Sequence, residues 1–302
     1  MSATFILSFD CEGKWGVADA LASAHARQLT DERLGEAYRH ILALLDEHEI
    51  GATFAFVGSF AQTREAFARV RPALEEFVRD YPHYLGPALD QIADGKADGW
   101  HGDHLVEFVG NARTAHEIAL HGVTHVPWTA MDRRSAEAEL TLFESLEGPV
   151  RESRTFVYPR NLVAHSGLLA EHGFLGFRTA VPPRLRSASL LSEFNLLAAP
   201  EQPIAGGSII TIPAGYFLNW RHGVRRLVPP AVTVMRARRL LDAAAASDGI
   251  VHYWLHPENI VSAPATLPLL RMLLREVAQA RDAGRCEVRT QVAYCREQQS
   301  LR

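Results

Sequence analysis

The first strand-like segment, residues 4–10, is nearly all apolar until its last residue, Asp10. A strand that lacks the usual alternation of polar and apolar residues is typical of a parallel sheet that is covered on both faces. Short apolar runs of this kind alternate with segments of helical periodicity along the chain of 302 residues. This alternation predicts an α/β fold, and one α/β barrel domain over residues 1–302 is an ordinary solution for this length.

Periodicity and turn residues outline the elements of this barrel. The predicted strands cover residues 4–10, 52–58, 117–120, 155–158, 174–179, 208–213, 249–255 and 286–289. The predicted helices cover residues 30–49, 62–80, 133–147, 165–172, 231–246 and 265–282.

The segment 81–115 breaks the pattern, because prolines and glycines interrupt it while aromatic residues and histidines enrich it. A loop of this length in a compact domain is usually functional or disordered, and the aromatic residues argue against disorder. We therefore predict an insertion that covers the site. His101, Asp103 and His104 within it are a candidate second metal cluster, although a structural role is the more common reading of such residues.

Two carboxylates lie at the end of the first predicted strand. Asp10 and Glu12 are two residues apart, so they share one face of the strand while Cys11 points away. One carboxylate can bind a metal ion, and the other can take a proton from water activated by that metal. A carboxylate at a strand end is weak evidence by itself, since it often caps the following helix.

Two histidines, His121 and His125, follow the short apolar strand 117–120. Such a pair can bind one divalent metal, and a catalytic metal site needs a third ligand, often a carboxylate, and an open position for water. A pair of histidines alone is often structural. Its combination with Asp10 and Glu12 favours a metal site, because parallel barrels build their active sites at the carboxyl ends of their strands.

The composition argues against several classes of function. The formal net charge of -4 argues against a nucleic-acid-binding protein that works through bulk positive charge. No secretory signal precedes the first strand, and no apolar stretch is long enough to span a membrane. The three cysteines are too scattered for a disulfide framework. These features predict a cytoplasmic protein without stable membrane insertion.

Further polar and aromatic residues follow other strand ends. His256 follows strand 249–255, and the predicted strand 174–179 ends in an Arg-Thr pair. An aromatic loop with nearby arginines follows residue 213, and aromatic rings suit the apolar faces of sugars, although they can equally pack the rim of the barrel. Trp15 likewise either lines a pocket or covers the end of the barrel. The candidate substrate-binding residues are Trp15, Tyr158, Asn161, Arg178, Tyr216 and Trp220.

These segments resemble the polysaccharide deacetylase (NodB-homology) family of carbohydrate esterases. The resemblance covers nearly the whole chain, with the segment 81–115 as an addition. The resembling segments are residues 8–12, 51–58, 116–125, 173–178 and 255–257. The resemblance implies a distorted (β/α) barrel with one divalent metal, most often zinc, which removes an acyl group from an N-acylated sugar.

The resemblance also implies roles for individual residues. Asp10 would be the general base and His256 the general acid, while the metal triad would consist of Glu12, His121 and His125. Many members carry adjacent aspartates where this chain has Asp10 and Cys11, and an Arg before a Pro where it has the reverse order, Pro159-Arg160. Arg160 could therefore orient Asp10 as part of the catalytic group, or bind an anionic group of the substrate.

The predicted function is removal of an N-acyl group, most often acetyl, from an amino sugar or a glycan precursor. The aromatic and arginine-rich rim favours a charged sugar, or one linked to a nucleotide or a lipid. One alternative is a metal-dependent amidohydrolase that opens a non-sugar C–N bond, such as that of a ureide. A second alternative is a catalytically silent protein that binds carbohydrate or takes part in an assembly.

Overall fold

A parallel sheet forms the centre of the structure, a computed structural model that describes residues 2–181, 193–194, 198–202 and 209–301. The strands are β1 (Ala3–Cys11), β2 (Thr53–Phe56), β3 (Glu117–Leu120), β4 (Thr155–Val157), β5 (Gly176–Arg178), β6 (Ile210–Ile212), β7 (Tyr216–Phe217), β8 (Ile250–Leu255) and β9 (Cys286–Arg289). Their order is β6-β5-β4-β3-β2-β1-β8-β7, with β9 paired to β1. The pairing of these strands is parallel throughout.

Strand β1 lies at the centre of this sheet. It pairs with β8 through residues 4–9, with β2 through residues 8–11 and with β9 through residues 3–6. All but one of its nine residues are buried, as expected for a strand with apolar side chains on both faces. Among the described strands, β6 and β7 end the sheet without pairing to each other. The predicted α/β class and distorted (β/α) barrel are therefore confirmed.

Ten α-helices surround the sheet in the described part of the chain. They are α1 (Asp31–His48), α2 (Arg64–Asp80), α3 (Pro82–Ala93), α4 (Asp103–Gly110), α5 (Arg133–Glu144), α6 (Gly167–Glu171), α7 (Pro230–Ser247), α8 (Pro257–Ser262), α9 (Thr266–Asp282) and α10 (Gln291–Ser300). Helix α1 begins as predicted, because the Thr30 side chain accepts a hydrogen bond from the Arg33 backbone N–H. No helix among the described residues has the length and apolar character that crossing a membrane requires.

The prediction of a loop over residues 81–115 is wrong, because this segment contains helices α3 and α4. Pro82 occupies the first turn of α3, where a missing N–H costs no helical hydrogen bond. Helix α3 packs against the short helix Trp15–Ala20, and α4 packs against α1. Tertiary contacts thus stabilise helices that the glycines and prolines obscure in the sequence. That this segment covers the site stays a prediction.

Besides α3 and α4, three further elements were not predicted from the sequence: β7, α8 and α10. Strand β7 has two residues and α8 has six, so neither spans enough residues for a periodic pattern. The predicted strand 208–213 corresponds to β6, and its first residue, Ser208, lies outside the described residues. The strands of the sheet come from residues between 3 and 289. The assignment of residues 1–302 to one domain stays a prediction.

Candidate active site

Five polar side chains meet at the carboxyl ends of three strands. They come from the end of β1, the loop after β3 and the residue after β8: Asp10, Glu12, His121, His125 and His256. Parallel strands bring their carboxyl ends to the same side of a barrel, which is why residues this far apart in the chain converge.

Three of these residues bring together atoms that could bind a metal ion. The Nε2 atoms of His121 and His125 lie 2.9 and 3.1 Å from the same oxygen, Oε1 of Glu12. All three ligand atoms lie within 4.8 Å of one another. Gly16 makes room for this arrangement, because a Cβ at that position would overlap the Glu12 carboxylate.

The donor set fits a divalent metal on chemical grounds. Nδ1 of His121 lies 2.8 Å from the Val157 carbonyl oxygen, which can only accept, so Nδ1 carries a proton. In the neutral ring Nε2 then presents a lone pair to the Glu12 carboxylate oxygen. The lone pair and the carboxylate oxygen repel each other, and a cation bound between them would replace this repulsion with a bond to each atom. Two imidazole nitrogens with one carboxylate oxygen are a ligand set of catalytic zinc sites.

A buried carboxylate fixes the loop that carries the two histidines. Glu139 of α5 accepts hydrogen bonds from the backbone N–H groups of Val123 and Thr124, at 3.0 and 2.7 Å. The loop needs this support because Gly122 and His125 both have left-handed backbone conformations, with φ of 68° and 60°. Glu139 thus fixes the two residues that precede His125, which has a conformation that a non-glycine residue rarely adopts.

Asp10 forms a buried bidentate ion pair with Arg178 at the end of β5. The Nη1 and Nη2 atoms donate to the two carboxylate oxygens at 2.7 and 2.5 Å. Burial alone would raise the pKa of Asp10, but the charge and the hydrogen bonds of Arg178 lower it below its usual value. Nη2 of Arg178 also donates to Oδ1 of Asn161 at 2.8 Å. Asp10 is therefore held as a carboxylate next to the metal-ligand set.

Arg160 does not have the position that would let it orient Asp10. Its guanidinium pairs with Asp19 at 2.6 Å and lies over the ring of Tyr84, 5.2 Å from the centroid. Its side chain is 36% exposed. The interpretation of Arg160 as the arginine of Asp10 is therefore wrong, and Arg178 has that place. Binding of an anionic substrate group by Arg160 stays a prediction.

The two arginines should differ in their effects on stability. Arg178→Met is expected to lower the free energy of unfolding by about 3–5 kcal/mol, because it leaves the Asp10 carboxylate buried without its partner. Arg160→Met should lower it by at most about 1 kcal/mol, since partly exposed ion pairs contribute little. Urea denaturation of both variants measures the difference. Equal losses in the two variants would contradict the assignment of Arg178.

His256 faces both carboxylates with one ring nitrogen. Nε2 lies 3.4 Å from Oε1 of Glu12 and 3.9 Å from Oδ2 of Asp10, while Nδ1 lies 3.3 Å from Oδ1 of Asn259. Burial would lower the pKa of His256, but the charges of Glu12 and Asp10 and the contact with Glu12 raise it to about 9. His256 therefore carries a proton at neutral pH, and its side chain is 24% exposed.

Two of the predicted substrate-binding residues lie in the core. Trp15 is 2% exposed, and its indole N–H donates to the Trp100 carbonyl oxygen. Tyr158 is also buried, with its ring edge-on to Trp128 and Phe177. Their assignment to substrate binding is therefore wrong, because neither side chain reaches an open surface.

The other predicted substrate-binding residues have different surroundings. Asn161 and Arg178 belong to the Asp10 network described above. The Tyr216 hydroxyl donates to the Ala199 carbonyl oxygen. Trp220 stacks on His222 with ring centroids 4.7 Å apart, and its ring lies 5.4 Å from that of His25. Tyr216 and Trp220 are both only partly buried, so contact with substrate stays a prediction for them.

The candidate second metal cluster is not assembled. Only two groups of three possible ligands are close enough to hold an ion in the described ranges, and both contain Glu12. His101 instead packs edge-on against Phe67, and His104 packs edge-on against Phe108. Both histidines therefore have a structural role.

A polar chain behind Asp10 was not predicted from the sequence. Nη1 of Arg178 donates to Oγ of Ser8 at 3.2 Å, and Oγ lies 2.8 Å from Nε2 of the buried His252. Nδ1 of His252 donates to the Pro213 carbonyl oxygen at 2.7 Å. The signal was present in the sequence, because Ser8 is two residues from Asp10 and His252 is four residues from His256, spacings that share a strand face.

The neutral state of His252 should make stability depend on pH. Burial and the charge of Arg178 lower the pKa of His252 from 6.5 to about 3. The unfolded chain therefore binds a proton below pH 6.5 that the native protein excludes, so stability decreases as pH falls. Asn does not titrate in this pH range. The stability difference between wild type and His252→Asn should shrink by about 2 kcal/mol from pH 7 to pH 5.

Urea denaturation at the two pH values measures this difference. A stability difference that stays constant between them would contradict a neutral His252 in the native protein.

Comparisons with known proteins identify the fold. No protein-family model matches the chain, and no curated protein matches it significantly. A Mycobacterium smegmatis protein provisionally named a polysaccharide deacetylase has a similar crystal structure, with a TM-score of 0.63, 19% identity and coverage of 99% of this chain and 91% of the other. The crystal structure of Puue allantoinase is also similar, with a TM-score of 0.54, 14% identity and coverage of 98% and 89%. The chain therefore has the fold of the polysaccharide deacetylases, as the sequence predicts.

Proposed function

We propose that the protein is a metal-dependent hydrolase that removes an N-acyl group, most often acetyl, from an amino sugar or a glycan precursor. The observation that carries this proposal is the convergence of a metal-ligand set, an ionised carboxylate and a protonated imidazole at one end of the barrel. An amide hydrolase needs these three functions: activation of water, acceptance of its proton and protonation of the departing amine.

The metal would be held by Glu12, His121 and His125, and zinc suits this ligand set. When bound, a zinc ion supplies Lewis acidity, which lowers the pKa of water and polarises the acyl carbonyl. Burial of Glu12 would by itself raise the pKa of its carboxyl, but the charges of His125 and His256 and the contacts with His121 and His125 hold it well below its usual range. Glu12 is therefore ionised, as a metal ligand must be.

Asp10 would act as the general base. Its pKa is lowered, its position is fixed by Arg178, and its Oδ2 is directed towards His256. It can therefore accept the proton of the water that attacks the acyl carbonyl. A carboxylate of low pKa is a weak base towards bulk water, but it can accept a proton from a water molecule whose own pKa a bound metal has lowered.

His256 would act as the general acid. Its Nε2 faces the two carboxylates and carries a proton at neutral pH, while Asn259 fixes the ring through Nδ1. Collapse of the tetrahedral intermediate needs a proton on the departing nitrogen, because an amide anion is a poor leaving group. Nε2 of His256 can donate this proton.

Aromatic rings near His256 support a sugar as the substrate. The ring centroid of Phe217 lies 6.0 Å from that of His256. A few residues further along the chain, the rings of Trp220 and His222 stack on each other. Such rings suit the C–H faces of a pyranose. Arg225 and Arg226 follow on this segment, and their charges would suit a charged or nucleotide- or lipid-linked precursor. A ureide is the second candidate, because the solved structures with a similar fold include an allantoinase.

An activity screen tests the proposal. Zinc-loaded protein would be incubated with N-acetylated oligosaccharides, with nucleotide-linked and lipid-linked N-acetyl sugars, and with allantoin. Release of acetate from a sugar is the expected result. Ring opening of allantoin without acetate release would support the ureide candidate. Tight zinc binding with no turnover of any of these compounds would instead support a silent carbohydrate-binding protein.

A further inference from the structure

A buried carboxylate that the mechanism does not use links the two strand ends of the site. Glu258 is 2% exposed and lies in the first turn of α8, two residues after His256. Its Oε1 atom accepts hydrogen bonds from the backbone N–H groups of Glu12, at 3.0 Å, and of Gly13, at 2.6 Å. A side chain from the end of β8 thus holds the backbone at the end of β1.

The backbone after β1 needs such a partner. The strand ends at Cys11, and Gly13 already has a left-handed conformation with φ of 54°, so the chain turns sharply there. Buried backbone N–H groups beyond the end of a strand have no partner in the sheet, and they cost free energy unless another acceptor forms hydrogen bonds with them. One oxygen of Glu258 accepts both and thereby fixes the direction in which Glu12 leaves the strand.

The same short segment also carries His256. The backbone N–H of His256 donates to Oδ1 of Asn259 at 3.3 Å, so residues 256–259 form a capped first turn. Because Glu258 and His256 belong to this turn, the bonds from Glu258 to the chain at Glu12 fix the metal ligand and the proton donor relative to each other. Oε1 of Glu12 and Nε2 of His256 lie 3.4 Å apart across this link.

We propose that Glu258 is a positioning residue for the metal site, and that the affinity of the Glu12–His121–His125 triad for zinc depends on its bonds to the backbone of Glu12 and Gly13. This inference rests on the proposed function only in requiring a metal at the triad. A purely structural role would let Glu258 stabilise the fold without any effect on metal affinity.

Zinc affinity of three Glu258 variants tests the proposal without any substrate. Metal-free protein would be titrated with Zn²⁺ in competition with a chromophoric chelator. Glu258→Ala removes the acceptor and is expected to raise the Kd for zinc by about 10–100-fold, the effect typical of groups that orient metal ligands. Glu258→Gln keeps an acceptor oxygen at the same place, so its Kd should stay within about 3-fold of wild type.

Glu258→Asp keeps the test decisive if the Ala variant does not fold. Its side chain is one methylene shorter, so it cannot reach both N–H groups, and about a 10-fold increase in Kd is expected. Glu117→Ala is the matched control. Glu117 is also buried and accepts bonds from Thr53 and from the backbone of Val292, away from the triad. It should lose stability and keep the wild-type Kd.

Two results would overturn the proposal. The first is a wild-type Kd for zinc in folded Glu258→Ala or Glu258→Asp protein. The second is an equal increase of Kd in Glu117→Ala, because the effect would then come from general destabilisation. Failure of the proposed function has a different signature, since a wild-type protein that binds zinc but hydrolyses nothing still shows the ordering of Kd among these variants.

Discussion

Asp10→Asn is expected to reduce turnover by about 10²–10⁴-fold while leaving zinc bound at the triad. The amide keeps the size of the carboxyl and can still accept a hydrogen bond from Arg178, but it cannot take a proton from water. Asp10 is not among the three triad ligand atoms, which belong to Glu12, His121 and His125. Zinc content and steady-state hydrolysis, measured on the same preparation, separate the two effects.

Loss of the Asp10 charge also leaves Arg178 buried without a full counter-charge, so stability needs its own measurement. Urea denaturation at the assay temperature shows whether the variant is folded. Ser8→Ala is a suitable control, because it removes a neighbour of Arg178 at 3.2 Å without touching the base. A folded, zinc-loaded Asp10→Asn variant with undiminished activity would contradict the role of Asp10.

His121→Ala is expected to abolish zinc binding under conditions in which the wild type is fully loaded, and to abolish activity with it. Removal of a ligand should lower affinity by more than the roughly 10–100-fold that loss of an orienting group produces. The remaining carboxylate and imidazole cannot form a three-ligand catalytic site. Metal analysis after dialysis against a weak chelator measures the loss.

His104→Ala is the matched control for this variant. Its ring packs edge-on against Phe108 of the same helix, and His104 belongs to neither group of potential ligands in the described residues. The control should bind zinc like the wild type. Retention of zinc by His121→Ala, or loss of zinc in His104→Ala, would show that the metal lies elsewhere.

Much of the site could be predicted because it follows from the geometry of parallel strands. Asp10, His121 and His256 each come at or just after the end of an apolar run, and the carboxyl ends of such strands meet on one side of a barrel. Glu12 follows from the period of two along a strand, which places it beside Asp10 in spite of the intervening Cys11. Pattern alone therefore located these four side chains.

The arginine that holds Asp10 could not be chosen from the sequence. Arg160 and Arg178 both lie near the ends of strands, β4 and β5, and either could reach the base. After β4, Arg160 and Asn161 have left-handed backbones with φ of 57° and 55°, and the guanidinium of Arg160 pairs with Asp19. Non-glycine residues give no sequence signal of such a conformation.

Helices α3 and α4 were missed for a related reason. Their sequence has low intrinsic helix propensity, with Pro87 and Gly86 inside α3, so local preference predicts a loop. The helices form because they bury Leu85, Leu105 and Val109 against the rest of the protein. Glu258 also escaped notice, since a carboxylate within the first turn of a helix usually indicates only a favourable helix dipole.

Zinc titration of chelator-treated wild-type protein tests the central claim most directly, with bound metal and hydrolysis of an N-acetyl sugar followed together. We expect activity to be absent from the metal-free protein, to rise in proportion to zinc and to reach its maximum at one equivalent per chain. Full activity in the metal-free protein, or saturation with zinc that leaves hydrolysis at the uncatalysed rate, would contradict the proposal that the Glu12–His121–His125 triad supports a hydrolase.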